Sequence, residues 1–171
     1  MKLLLLIVAC TGAGVLFCYA VTITKCTTSR PPFELAALSA ALESYKSDHG
    51  NYPTDPATSE RLRPNLMFDP NDYIPASRFL YRALSGDADG DPSTKSNRDG
   101  KVYFPFKEMN FKFAGSRKNT YLVDAWGNPY GYSTLKSADP ESPDGNNETF
   151  DLWSTGGGKT AKQKGNWVAN W

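Results

Sequence analysis

The run from Leu3 to Thr24 carries no charged side chain and follows Lys2 directly. As a helix it would be about 33 Å long, enough to cross the apolar core of a bilayer. Residues 1–25 are therefore expected to be a membrane anchor or an export signal. Cys18-Tyr19-Ala20 offers a small-residue cleavage site, which would leave Val21 as the first mature residue. Ile7-Val8-Ala9-Cys10 offers a lipoprotein-like box behind an implausibly short signal. Lys2, Lys25 and Arg30 flank the run on both sides and do not fix its orientation. With the N-terminus left inside, every reading puts the rest of the chain in the cell envelope. It is either anchored in the inner membrane with a periplasmic or extracellular domain, or exported after cleavage.

Residues 26–32 form a polar connector ending in Pro31-Pro32. The next segment, "FELAALSAALESYKSDHG", repeats Leu35, Leu38, Leu42 and Tyr45 at intervals of three and four. That spacing predicts a helix over 33–49 with one apolar face, stopped by Gly50. "PASRFLYRAL" predicts a second, shorter helix carrying Phe79, Leu80, Ala83 and Leu84. "SGDADGDPSTKSNRDGK" has no apolar anchor and reads as a solvated loop. The period then changes to two. "KVYFPF", "NFKFAG", "TYLVD", "PYGYS" and "ETFDLWS" are strand candidates, and Pro105 marks an edge or bulge. Helices followed by strands predict an α+β fold, in which the N-terminal helix packs on a small antiparallel sheet over about 101–154. A Gly- and Lys-rich C-terminal loop, 155–171, follows.

"DAWGNPYGY" reads as a turn between strands. Gly127 and Asn128 tolerate positive φ, and Pro129 ends the turn. Asp124 precedes it. Trp126, Tyr130, Tyr132, Phe150 and Trp153 are expected to supply core area in a chain that is 13% aromatic. The globular part lacks cysteine, since Cys10, Cys18 and Cys26 all lie in or beside the apolar run. A net charge of +1 gives no electrostatic footprint for nucleic acid.

Taken together, "ALESYKSDHGNYPT", "LVDAWGNPYGY", "FDLWSTGGG" and the final "NW" resemble the major pseudopilin of type II secretion systems, within the type IV pilin-like group. The resemblance covers residues 33–52 and 122–158, with Asn170-Trp171 at the end. Residues 54–120 correspond to a longer, variable insertion. It implies a pilin-like fold and a non-enzymatic structural subunit of an export filament or pilus-like filament. Partners would be other pilin-like subunits or secretion components, with the membrane engaged through residues 3–24. A homo-oligomer would assemble through the N-terminal helix and the face of Leu35, Leu38, Leu42 and Tyr45. The chain departs from the family in three places. No basic leader with a Gly-Phe-Thr-Leu-Ile-Glu site is present, no acidic residue precedes Glu34, and Pro31-Pro32 interrupts the helix.

The resemblance also implies a calcium loop after the "FDLWS" strand. Gly158 stands where an aspartate would ligate, and Lys159, Lys162 and Lys164 follow, with Asn166 the remaining oxygen donor. That site is expected to be lost, leaving the chain without a cofactor. Asp87, Asp89 and Asp91 have the odd spacing of a calcium loop, a weak alternative. Pro92 and Arg98 stand where such a loop needs glycine and glutamate. One histidine, His49, does not make a His-based metal site, and Ser154 has no partner histidine following it, so no catalytic residues are expected. The alternative to a filament subunit is an exported or anchored binding module that keeps the fold without polymerising. Its contacts would be surface aromatics, with Tyr73, Trp167 and Trp171 as candidates.

Overall fold

The computed structural model describes residues 32–87, 89–93 and 100–171. The expected anchor and most of the connector, including all three cysteines, lie outside the described residues. Among the described residues no helix is long and apolar enough to cross a membrane.

Helix α1 covers residues 32–49. Its leucine stripe is buried, with Leu35, Leu38 and Leu42 at 5%, 2% and 0% exposure. Ala41 sits beside them and permits close approach. Gly50 takes φ +83°, the left-handed stop that glycine provides at least strain, and its N–H returns to Lys46 O. Tyr52 then folds back, its hydroxyl donating to Glu43 at 2.8 Å.

Helix α2, Ile74–Ser85, opens with proline in its first turn and ends at Gly86 with φ +70°. Leu80 and Leu84 join the leucines of α1 in one core with Leu122, Tyr130, Tyr132, Phe150 and Leu152. Two antiparallel sheets complete that core. β1 (Phe111–Phe113) pairs with β2 (Thr120–Leu122). β3 (Gly131–Ser133) pairs with β4 (Asp151–Ser154), which pairs with β5 (Val168–Ala169). A bridge between Val123 and Pro129 links the sheets around the turn. A short helix, α3 (Leu135–Ala138), follows β3. The fold class is α+β, as the sequence order predicts.

Two expectations are corrected. "KVYFPF" is not a strand. Tyr103 N–H and Phe104 N–H both donate to Leu84 O, at 2.9 and 3.0 Å, so this segment is tied to the end of α2. Pro105 has no N–H to offer, and Phe106 N–H closes a tight turn onto Phe104 O. The sheets therefore begin at Phe111, not near 101. The C-terminal stretch is also more than a loop, because Val168–Ala169 adds the third strand of the second sheet. Asn170 fastens that strand: its side-chain oxygen accepts from Leu152 N–H and its amide donates to Phe150 O.

Gly131 faces Trp153 across the β3–β4 ladder, and the indole lies over it. A Cβ there would come within 1.9 Å of the ring, although the backbone is ordinary strand. Gly131→Ala is expected to destabilise the protein by roughly 3 kcal/mol through overpacking. Its urea midpoint against the parent checks this, and an unchanged midpoint would refute the role assigned to the glycine.

Candidate interaction surface

The turn after β2 is organised by one buried carboxylate. Asp124 Oδ1 accepts from Trp126 N–H and Asn128 N–H, both at 2.9 Å. Its Oδ2 accepts from Ser154 Oγ on β4 at 2.6 Å. The main chain repeats the closure, with Gly127 N–H on Asp124 O and Asp124 N–H on Asn128 O. Gly127 sits at φ +79°. Ser154 is thus a structural partner of Asp124, and the pair pins the turn to the second sheet.

The expected core aromatics divide. Tyr130, Tyr132, Phe150 and Trp153 are buried, as is Pro129. Tyr132 hydroxyl reaches Pro53 O at 2.7 Å, and Tyr130 hydroxyl reaches Glu34 Oε2 at 2.8 Å. Trp126 is not core. It is 39% exposed and lies against Gly157, because the turn aims it outward.

The expected surface aromatics divide too. Tyr73 is fully buried, which corrects its assignment: its ring meets Trp153 edge-on and its hydroxyl donates to Met67 O at 2.8 Å. Trp167 is half-buried and stacked on Trp153, with ring centroids 5.9 Å apart and planes 12° from parallel. Trp171 stays exposed. The three therefore form no coplanar open platform. Lys164 donates to Asn65 Oδ1 at 3.0 Å and lies over the Trp167 ring, so this lysine anchors the C-terminal loop to the segment before α2.

The expected assembly face is corrected as well. Leu35, Leu38 and Leu42 are covered by the protein's own core and are not open to another copy. Tyr45 is half-buried, stacked on exposed His49 at 4.1 Å between ring centroids. Tyr103 hydroxyl lies 3.0 Å from His49 Nε2 and donates to Asp48 at 2.8 Å. Lys101 also bonds Asp48, and these partners hold its carboxyl below the usual range.

Asp87, Asp89 and Asp91 accept hydrogen bonds from their own loop and, for Asp87, also from α2. Asp87 accepts from Tyr81 hydroxyl and Gly90 N–H, Asp89 from Asp91 N–H, and Asp91 from Ser93. Among the described residues no three His, Cys, Asp or Glu side chains gather as a metal-holding group.

The sequence pattern does not announce one further concavity. A cleft of about 610 Å³ opens beside β1, lined by Tyr81, Val102, Phe104, Pro105, Phe106, Phe111 and Phe113, with Asp87, Glu108 and Arg117 among its polar groups. Its rings touch in a chain: Phe104 to Phe106 at 4.6 Å, Phe106 to Tyr81 at 5.5 Å, Tyr81 to Phe111 at 5.9 Å, and Phe111 to Phe113 at 5.8 Å. Val102 and Phe113 are each 43% exposed. The one signal for it is the density of phenylalanine over 104–113, which by itself reads as strand pattern. Its aromatic lining suits contact with apolar surface. No family model matches the chain, and neither a curated protein nor a solved structure matches it.

Burial pushes the carboxyls of Asp124, Asp87 and Asp151 above their ordinary range, against the hydrogen bonds that pull each down. A raised folded pKa means that folding takes up a proton. That stability is complete below the unfolded pKa and is lost as pH rises through the folded one. The urea midpoint is therefore expected to rise as pH falls from 7 towards about 4. Asp124→Asn should flatten part of the slope. Asp124→Ala, which leaves two amides and a hydroxyl without their acceptor, should cost roughly 3 kcal/mol. A slope of the opposite sign would refute the assignment.

Proposed function

We propose that the protein is a non-enzymatic, pseudopilin-like structural subunit of an export or pilus-like filament, held in the cell envelope by residues 3–24 and acting through subunit–subunit contact. One observation carries this reading. The separated segments that bear the resemblance meet in a single core: Leu38 and Leu42 of α1, Tyr130 and Tyr132 beyond the turn, and Phe150 and Leu152 of the "FDLWS" strand. A helix whose stripe is spent on its own sheet can still offer other faces to neighbours. Ala36, Ala37 and Ala40 are exposed on α1, and small residues permit close helix approach. Subunit contact would use that alanine side together with the segment before residue 32, and not the leucine stripe.

A second reading, an exported or anchored binding module that does not polymerise, is favoured by the aromatic cleft. Intact masses of the native protein from membrane and soluble fractions separate the two. The filament reading expects a membrane-bound chain that retains residues 3–24. A soluble chain starting at Val21 would overturn it and leave the binding module standing.

A further inference from the structure

Among the described residues β1 pairs only with β2, which leaves its other edge open. Val123 N–H donates to Asn110 O and Ala114 N–H to Asn119 O, at 2.8 and 3.0 Å. Bonded pairs alternate along an antiparallel ladder, so Lys112–Tyr121 is the bonded pair between them. The N–H and C=O groups of Phe111 and Phe113 then point away from β2. Among the described residues no hydrogen bond takes them up. Edge strands are usually blunted by proline, a bulge or an outward lysine. Here the one lysine, Lys112, is on the other face, with its ammonium held by Gly127 O at 2.9 Å. Both phenylalanine rings line the cleft, and so do Glu108 and Arg117, which bracket the strand in sequence. Neither charge is in an ion pair among the described residues; the Arg117 guanidinium rests 5.9 Å from the Phe113 ring centroid.

We propose that β1 is a self-association edge, on which two copies pair antiparallel about a two-fold axis and merge their aromatic clefts. The strand's own sequence supplies the complement. Antiparallel pairing of two identical edges sets Phe111 opposite Phe113 of the second copy, with aromatic cross-strand pairs on the cleft face. It also brings Glu108 of each copy towards Arg117 of the other, twice by symmetry. Lys112 meets its counterpart on the far face, where the Gly127 carbonyl draws each ammonium aside. An extended peptide from another protein would need the same alternation and the same opposed charges, which a second copy already has. The proposal goes beyond the filament reading and does not rest on it, since it concerns only the sheet edge.

The test uses the full chain in detergent, with Phe113 replaced by a photoreactive phenylalanine analogue and with isotopically light and heavy copies mixed. Irradiation is expected to join the 111–113 peptide of a light copy to that of a heavy copy. Self-association measured by light scattering should weaken roughly tenfold in Glu108→Arg or Arg117→Glu, and recover in the double swap. Association through the N-terminal segment would ignore these charges. Cross-links confined to one chain, cross-links to a different protein, or single swaps without effect would each overturn the proposal.

Discussion

Everything in the globular part leans on the leucine stripe of α1. Leu35, Leu38 and Leu42 cover the inner rings of Tyr130, Tyr132 and Phe150, and Leu80 and Leu84 of α2 close the same core. Each short strand gives only a few residues to that core. Without a helix over them, sheets of two and three short strands would leave their inner faces in water, and such sheets are not stable alone. The polar anchors sit at the margins of this contact. Glu34 accepts from Tyr130 hydroxyl and Asn110 amide at the start of the helix, and Tyr132 hydroxyl is satisfied by Pro53 O beyond its end. The helix is thus fixed along its length by apolar area and at its ends by hydrogen bonds.

The aromatic crowding around "DAWGNPYGY" has a division of labour. Tyr130 and Tyr132 fill the core that α1 covers, whereas Trp153, packed between Gly131 and Trp167, belongs to a second apolar cluster with Tyr73 and Leu62. Asp124 holds the turn between them by satisfying two amides of the turn and the Ser154 hydroxyl of β4. A carboxylate can accept from all three at once, which an apolar residue of similar size could not do. Its burial costs solvation, and the raised pKa is the trace of that cost.

Much of this is legible in the sequence because helical period and strand period are local signals. Leu35, Leu38 and Leu42 announce a helix face, and "FDLWS" announces a strand. What escapes such a reading is non-local. Tyr103 and Phe104 have strand composition, but their amides go to the carbonyl of Leu84, nineteen and twenty positions back, and no local window registers a competing acceptor. Val168 and Ala169 are too few to show a period, and they are a strand only because Trp153 and Ser154 are there to pair with. Tyr73 follows a polar stretch, "DPND", that suggests exposure. Its burial comes from Trp153, eighty residues on. The resemblance places the turn and the helix together, but a stripe expected as an assembly face proves to be an internal one, since a period of three and four does not say what lies opposite.

A helix has one stripe wide enough to hold a domain, and here the domain uses it. Among the described residues, contacts with other molecules would then draw on what the core does not consume: the alanine side of α1, the outward groups of Phe111 and Phe113, and the aromatic cleft between β1 and the 101–106 segment. Two of these three lie in the region between the segments that carry the resemblance. The same tether that denies Tyr103 and Phe104 a place in a sheet keeps their amides from β1, because both are bound to the end of α2. The 101–113 stretch therefore holds both the edge that the described residues leave open and the apolar wall beside it.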